Sequence, residues 1–205
     1  MDVIACEDTR QTLKLLNHYQ ISKKLISHHS YNEEHSAQKI VSQLKAGLNV
    51  ALVSDSGTPG VSDPGALVVR LVRQAGFTVV PIPGPCAVST LVSVSGISAR
   101  GMSFAGFLSP KKGRRQIQLK NLLQTGEGFV LYESPFRIVA LLKELLELEP
   151  QRQLVIGREM TKIHEEFLFG RPEELLTILQ KRPRIQGEFC VLVGPRKNTK
   201  EIDSE

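Results

Sequence analysis

The chain has 205 residues, 41% of them apolar and 23% charged, enough to bury a substantial core as one large or two small domains of a soluble globular protein. It holds no apolar run of the ~20 residues a bilayer crossing needs and no basic-then-apolar secretory leader. Its three distant cysteines, Cys6, Cys86 and Cys190, exclude a disulfide framework and a cysteine-only zinc site and make a cytoplasmic setting the expectation. Lys plus Arg outnumber Asp plus Glu, 26 to 21, and Lys111, Lys112, Arg114 and Arg115 crowd one predicted loop. Such a cluster suits nucleic-acid phosphates, and reads equally as a solvated charge run.

In chain order, residues 3–5 form a short strand, and Asp8 or Thr9 caps a helix with Leu13, Leu16 and Tyr19 on one face. A strand over 25–28 precedes an amphipathic helix over 33–46, closed by Gly47. Residues 50–53 are a buried strand. The loop that follows, 54–65, holds three glycines and two prolines. Pro64 opens a helix carrying Leu67, Val68, Leu71 and Val72, and residues 77–82 read as a further strand. This alternation predicts a parallel or mostly parallel sheet.

Pro81, Pro83, Gly84 and Pro85 punctuate the chain most strongly, so the domain boundary is placed at 82/83. The N-terminal α/β domain is then 1–82, the C-terminal one 83–195, and 196–205 a polar, disordered tail. The second half reads as a small-residue helix over 86–95, a strand over 102–105, the basic loop 109–115, and a helix over 116–123. A strand over 128–132, a helix over 136–148 and a strand over 153–158 follow. An edge strand over 166–169, a helix over 172–180 and a final strand over 189–193 complete it.

No G-x-G-x-x-G, P-loop or G-x-S-x-G motif is present, and no histidine spacing suggests a metal. What remains is a set of polar, Gly/Pro-containing turns at strand ends: 7–10, 55–65, 83–87, 106–115, 132–135, 158–162 and 187–188. Turns at the carboxyl ends of strands form the ligand crevice of α/β sheets. Each taken alone reads equally as a plain connection.

The segments CEDTR at 6–10, LVSDSGTPGVSDPG at 52–65, VVPIPGPCA at 79–87 and GFLSPKKGRR at 106–115 resemble the small-subunit ribosomal RNA methyltransferases of type I, in the tetrapyrrole methylase superfamily. So do LYESPFR at 131–137, GREMTKIHEE at 157–166 and QGEFCVLVG at 186–194. The resemblance covers nearly the whole chain in order. It implies two α/β domains with S-adenosylmethionine in the cleft between them, usually in a homodimer. It implies 2′-O-methylation of a cytidine ribose in the decoding region of 16S rRNA of the small ribosomal subunit. Carried over, Asp55, Ser56, Gly57 and Thr58 border the cofactor, and Pro83, Gly84, Cys86 and Ala87 shape its pocket. Phe107, Leu108, Tyr132, Gly187 and Glu188 supply further walls. Glu7, Arg10, Lys111, Lys112, Arg114 and Arg115 face RNA.

A ribose hydroxyl is a weak acid that needs a base or cation to attack a sulfonium methyl. By position at strand ends, Glu133, Arg158, Glu159 and Lys162 are the catalytic candidates, and each could equally be a structural ion pair. A small-molecule tetrapyrrole methylase and a catalytically impaired RNA-binding remnant are the alternative functions. The family's opening strand and glycine loop have no counterpart in this sequence, from which weaker cofactor binding and methylation than in a longer form are expected.

Overall fold

The computed structural model describes residues 1–196, which divide into two compact units, Met1–Cys86 and a second beginning at Ala87. The boundary read from the sequence, 82/83, falls four residues earlier. The expected tail, 196–205, lies outside the described residues except for Arg196. Its backbone N–H donates to the Gly126 carbonyl at 2.8 Å, and its guanidinium meets Glu149.

The first unit is a three-layer sandwich around a three-stranded sheet. Strands β1 (Val3–Cys6), β2 (Lys24–Ser27) and β3 (Val50–Val53) pair in the order β2-β1-β3, all parallel. Alternation along β1 sends Val3 and Ala5 to one face and Ile4 and Cys6 to the other, as the pleat requires. The Val3 face packs on helices α2 (Glu33–Lys45), through Ala37 and Ile40, and α3 (Ala66–Gln74), through Val68 and Val72. The Cys6 face is covered by Leu16 of α1 (Thr9–His18). Helix α1 starts at Asp8, whose carboxylate accepts the Arg10 N–H at 2.8 Å.

Three sequence expectations change here. Leu13 and Tyr19 are 49% and 63% exposed, so the buried face of α1 is Thr12 and Leu16. Residues 77–82 form no strand. Val80 and Ile82 stand 70% and 82% exposed, and Pro81 has no N–H to give a ladder. The apolar run is extended chain without sheet pairing among the described residues. The parallel pattern holds for this sheet but not for the next.

The second unit has a five-stranded mixed sheet in the order β4-β5-β8-β6-β7, made of β4 (Ser103–Phe107), β5 (Phe129–Glu133), β6 (Leu154–Arg158), β7 (Glu166–Gly170) and β8 (Phe189–Val193). Only β4 and β5 pair in parallel; the other three pairings are antiparallel. Phe129 and Leu131 of β5, with Leu154, Ile156, Phe189, Val191 and Val193, face α5 (Lys112–Gln124), α6 (Ile138–Leu148) and α7 (Pro172–Gln180) and form the larger core. Val130, Val155, Cys190 and Leu192 face α4 (Ala87–Val94) through Leu91.

Helix α5 begins three residues before the run 109–115 ends. The predicted basic loop is therefore half loop and half first helical turn. Its fourth cation turns inward. Arg115 is 5% exposed, and its Nε and Nη2 meet the Glu144 carboxylate of α6 at 2.9 and 2.7 Å. Arg115 therefore faces no RNA: a helix presents positions 114 and 115 about 100° apart, and only the latter meets α6.

Candidate functional site

Parallel pairing places the carboxyl ends of β1, β2 and β3 level, because Cys6 registers with both Ser27 and Val53. The turns after them therefore gather on one edge of the first unit. The Asp8 N–H donates to Asp55 Oδ1 at 3.3 Å, linking 7–10 to the glycine loop. Thr58 Oγ1 donates to the Pro85 carbonyl at 3.0 Å, linking that loop to 83–86. Three of the turns singled out in the sequence are thus joined by hydrogen bonds.

The loop 54–65 owes its shape to its composition. Gly57 and Gly60 lie at φ +71° and +80°, which side-chain-bearing residues rarely adopt. A Cβ on Gly65 would come within 3.1 Å of the Gly60 nitrogen, and the Gly65 N–H is held by Glu33 Oε1 at 3.1 Å. Ser54 Oγ closes the turn onto the Ser56 and Gly57 carbonyls. Asp55, Ser56 and Gly57 are left exposed, and so are Pro83, Gly84 and Pro85, while Thr58, Cys86 and Ala87 are half-buried.

Glu7 is half-buried beside this edge. Arg10 is exposed but engaged. Its Nε and Nη2 reach the Asp8 carboxylate at 3.0 and 2.6 Å, and these bonds hold the Asp8 carboxyl at about 2.

In the second unit β4, β5 and β6 run in one direction and β7 and β8 in the other. The carboxyl ends of the first three therefore share an edge with the amino ends of the last two. Phe107 registers with Tyr132, and Phe189 with both Glu133 and Arg158. The turns 106–115, 132–135, 158–162 and 187–188 all fall there.

Two brackets fix this edge, and the sequence reading missed one of them. Arg137 Nη1 donates to the Leu108 carbonyl at 3.3 Å, its Nε to Ser134 Oγ at 3.3 Å, and Nη2 pairs with Glu133 at 2.7 Å. The second bracket is Glu159, at φ +48°. Its Oε1 accepts from the Glu188 N–H at 2.8 Å and from Lys162 Nζ at 3.1 Å, while Lys162 also reaches Glu188 Oε2 at 3.0 Å. A Cβ on Gly187 would lie 2.5 Å from Glu159 Cγ, so that position must be glycine.

This geometry re-sorts the four catalytic candidates. Glu133 is 1% exposed and cannot touch a substrate; burial pushes its carboxyl up, against the pull of the Ser134 N–H and Arg137. The Glu188 N–H and Lys162 hold Glu159 below the ordinary glutamate range, which makes it a poor proton acceptor. Burial works against the charge on Lys162, yet Glu188 and Glu159 outweigh it and push the ammonium above the ordinary lysine range. Arg158 donates from Nε to the Gln186 carbonyl at 2.6 Å and lies 3.5 Å from Glu166. The Leu108 side chain is 4% exposed within the larger core, and the residue also lines the open pocket at the end of β4.

Phe107 keeps an open face. Between Phe104 and Gly106 the β4–β5 register slips by one residue. Such a bulge puts residues three apart on the same side of a strand. Phe104 and Phe107 accordingly both meet Tyr132 edge-on, with ring centroids at 5.0 and 5.5 Å. No metal-holding cluster of His, Cys, Asp or Glu occurs among the described residues, and no helix there is long and apolar enough to cross a membrane.

Residues 1–176 match the family described as tetrapyrrole (corrin/porphyrin) methylases. The "Ribosomal RNA small subunit methyltransferase I" of Vibrio cholerae is 45% identical over 196 residues, 94% of this chain and 68% of that protein. Its Bacillus subtilis namesake is 40% identical over 205 residues, all of this chain and 70% of that protein. The chain belongs to the tetrapyrrole methylase family, on its small-subunit ribosomal RNA methyltransferase I branch. The family fold is also seen in the uroporphyrin-III C-methyltransferase of Thermus thermophilus, solved complexed with S-adenyl homocysteine. That structure matches with a TM-score of 0.57 at 19% identity, over 94% of this chain and 85% of that one. Membership of the family makes this chain a methyltransferase.

Proposed function

We propose that the chain methylates the ribose 2′-oxygen of a cytidine in 16S rRNA, using S-adenosylmethionine. The observation that carries this reading is identity of 40–45% with small-subunit ribosomal RNA methyltransferases I, over 94% or more of the chain. The same stretch contains every turn gathered at the two sheet edges.

The strand-end turns fit the cofactor. Gly57 and Gly84 leave main chain unshielded by side chains, a Cβ on Gly57 would have only the Pro85 carbonyl within 4 Å, and the loops bearing them are pinned by Thr58. Asp55, Ser56, Gly57, Thr58, Pro83, Gly84, Cys86 and Ala87, together with Tyr132, Gly187 and Glu188, are the cofactor contacts that the family resemblance supports. The bound cofactor supplies an electrophilic sulfonium methyl.

The protein's own work is then alignment and charge. Lys162, held protonated, and Arg158 offer positive charge near a developing alkoxide or its flanking phosphate. Glu159 positions the Gly187–Glu188 main chain. Glu7, Arg10, Lys111, Lys112 and Arg114 are the proposed RNA-facing groups; the phosphate contacts of the four cations supply affinity without reading sequence. We also infer a homodimer working in the cytoplasm on the small ribosomal subunit, supported by the family resemblance.

The deciding experiment incubates the protein with radiolabelled S-adenosylmethionine and small subunits from cells lacking this activity, then maps 2′-O-methylcytidine by mass spectrometry. Label at one cytidine ribose is the expected result; label on a base, or none, refutes the reading. Sedimentation of the same preparation tests the dimer.

A further inference from the structure

At the carboxyl end of β4 and the first turn of α5 lies an open pocket of about 640 Å³, within the range of small-ligand sites. Its lining includes Phe107, Ser109, Arg114, Gln118 and Arg137, and no carboxylate. Arg137 is paired with Glu133 and is tied by its Nε and Nη1 to Ser134 and Leu108. Arg114 is different: it makes no ion pair or hydrogen bond among the described residues and is exposed. The fold thus commits Arg115 to Glu144 and leaves its neighbour free within the pocket.

The walls are preorganised. Gln118 Oε1 accepts the Ser109 N–H at 2.8 Å, which pins the turn 109–111 to α5. Phe107, 55% exposed, is held edge-on by Tyr132. A fixed aromatic face beside an unpaired guanidinium is the pairing that takes a nucleobase and its phosphate from a single strand.

We propose that this pocket binds one nucleotide of single-stranded RNA, the base on Phe107 and the phosphate on Arg114. The assignment of RNA as the source rests on the proposed function; the anion-plus-aromatic chemistry does not. It reassigns Phe107 from the cofactor to the RNA.

The test measures fluorescence anisotropy of a labelled cytidine-rich hexaribonucleotide without cofactor, over a salt series. Arg114→Ala is expected to weaken binding about tenfold and to reduce the slope of log K against log salt by about 0.7, the loss of one single-strand phosphate contact. Phe107→Leu is expected to weaken binding about fivefold or more with the slope unchanged, and Phe107→Tyr to restore it. Lys120→Ala removes an equal charge on the exposed side of α5 and is the control. Equal losses in Arg114→Ala and Lys120→Ala, or no loss in Phe107→Leu, overturn the proposal. So does Phe107→Leu abolishing S-adenosylhomocysteine binding in calorimetry while hexamer binding persists. Competition by cytidine monophosphate or inorganic phosphate at the hexamer's own affinity would assign the pocket to a free anion instead. Pocket variants that bind normally, in a protein that methylates small subunits, overturn the pocket and leave the function standing. Hexamer binding through the pocket by a protein that leaves small subunits unmethylated overturns the function alone.

Discussion

Arg115 and Glu144 show how little a residue's charge says about its role until its neighbours are known. Each side chain is 6% exposed and the contact is bidentate. Breaking such a pair strands a buried charge, at about 3–5 kcal/mol. Arg115→Ala should lower urea-unfolding stability by that amount. The double change Arg115→Met with Glu144→Leu should cost less than either single change, because it leaves no orphan. Gly187 is a second residue-scale case. At φ +96°, with Glu159 Cγ 2.5 Å from any Cβ, Gly187→Ala should destabilise by about 1–3 kcal/mol. It should also weaken S-adenosylhomocysteine binding in calorimetry, since the main chain held by Glu159 would have to move.

At the scale of elements, edge strand β7 is tied down by charge. Arg182, just beyond α7, donates from Nη1 to Glu166 Oε2 at 2.8 Å, and with Arg158 it holds the Glu166 carboxyl below the ordinary range despite partial burial. A carboxyl that is more acidic when folded stabilises above its unfolded pKa and loses that contribution as pH falls. Stability should therefore drop as pH falls below about 4.3, and Glu166→Gln should flatten that acid limb in pH-resolved thermal unfolding. Helix α1 depends on its cap in the same local way. Asp8→Ala should lower the midpoint of chemical denaturation, through loss of the cap, and release Arg10 from its partner.

At the scale of the whole molecule, the two units have unequal cores. The second packs three helices on one face of its sheet and α4 on the other, whereas the first covers a three-stranded sheet. Buried apolar area scales with stability, so amides of β5, β6 and β8 should exchange hydrogen more slowly than those of β1–β3 in mass-spectrometric exchange. Much of this organisation was legible in the chain. Uninterrupted apolar runs bounded by turns located β3 and β8, and 3.6-period apolar patterns located α2 and α7, within a residue or so, because burial on both faces or on one face leaves that mark in the sequence. Glycine and proline marked the loop 54–65 and the segment 83–87, because positive φ and missing N–H groups restrict what can stand there. Pairing and partners were not legible. The residues 77–82 have strand composition but no neighbouring strand to bond, and a hydrogen-bonded ladder requires two. The run Lys111 to Arg115 reads as four equal cations until α6 brings Glu144 against one of them. The bulge that sets Phe104 and Phe107 on one side of Tyr132, and the Arg137 and Glu159 brackets, join residues distant in sequence, and no local pattern encodes such distances. The sequence by itself determined most of the elements, the turns and the family. The tertiary structure alone decided which charges are spent inside the protein and which stay free for a ligand, because a charge is assigned by what it packs against.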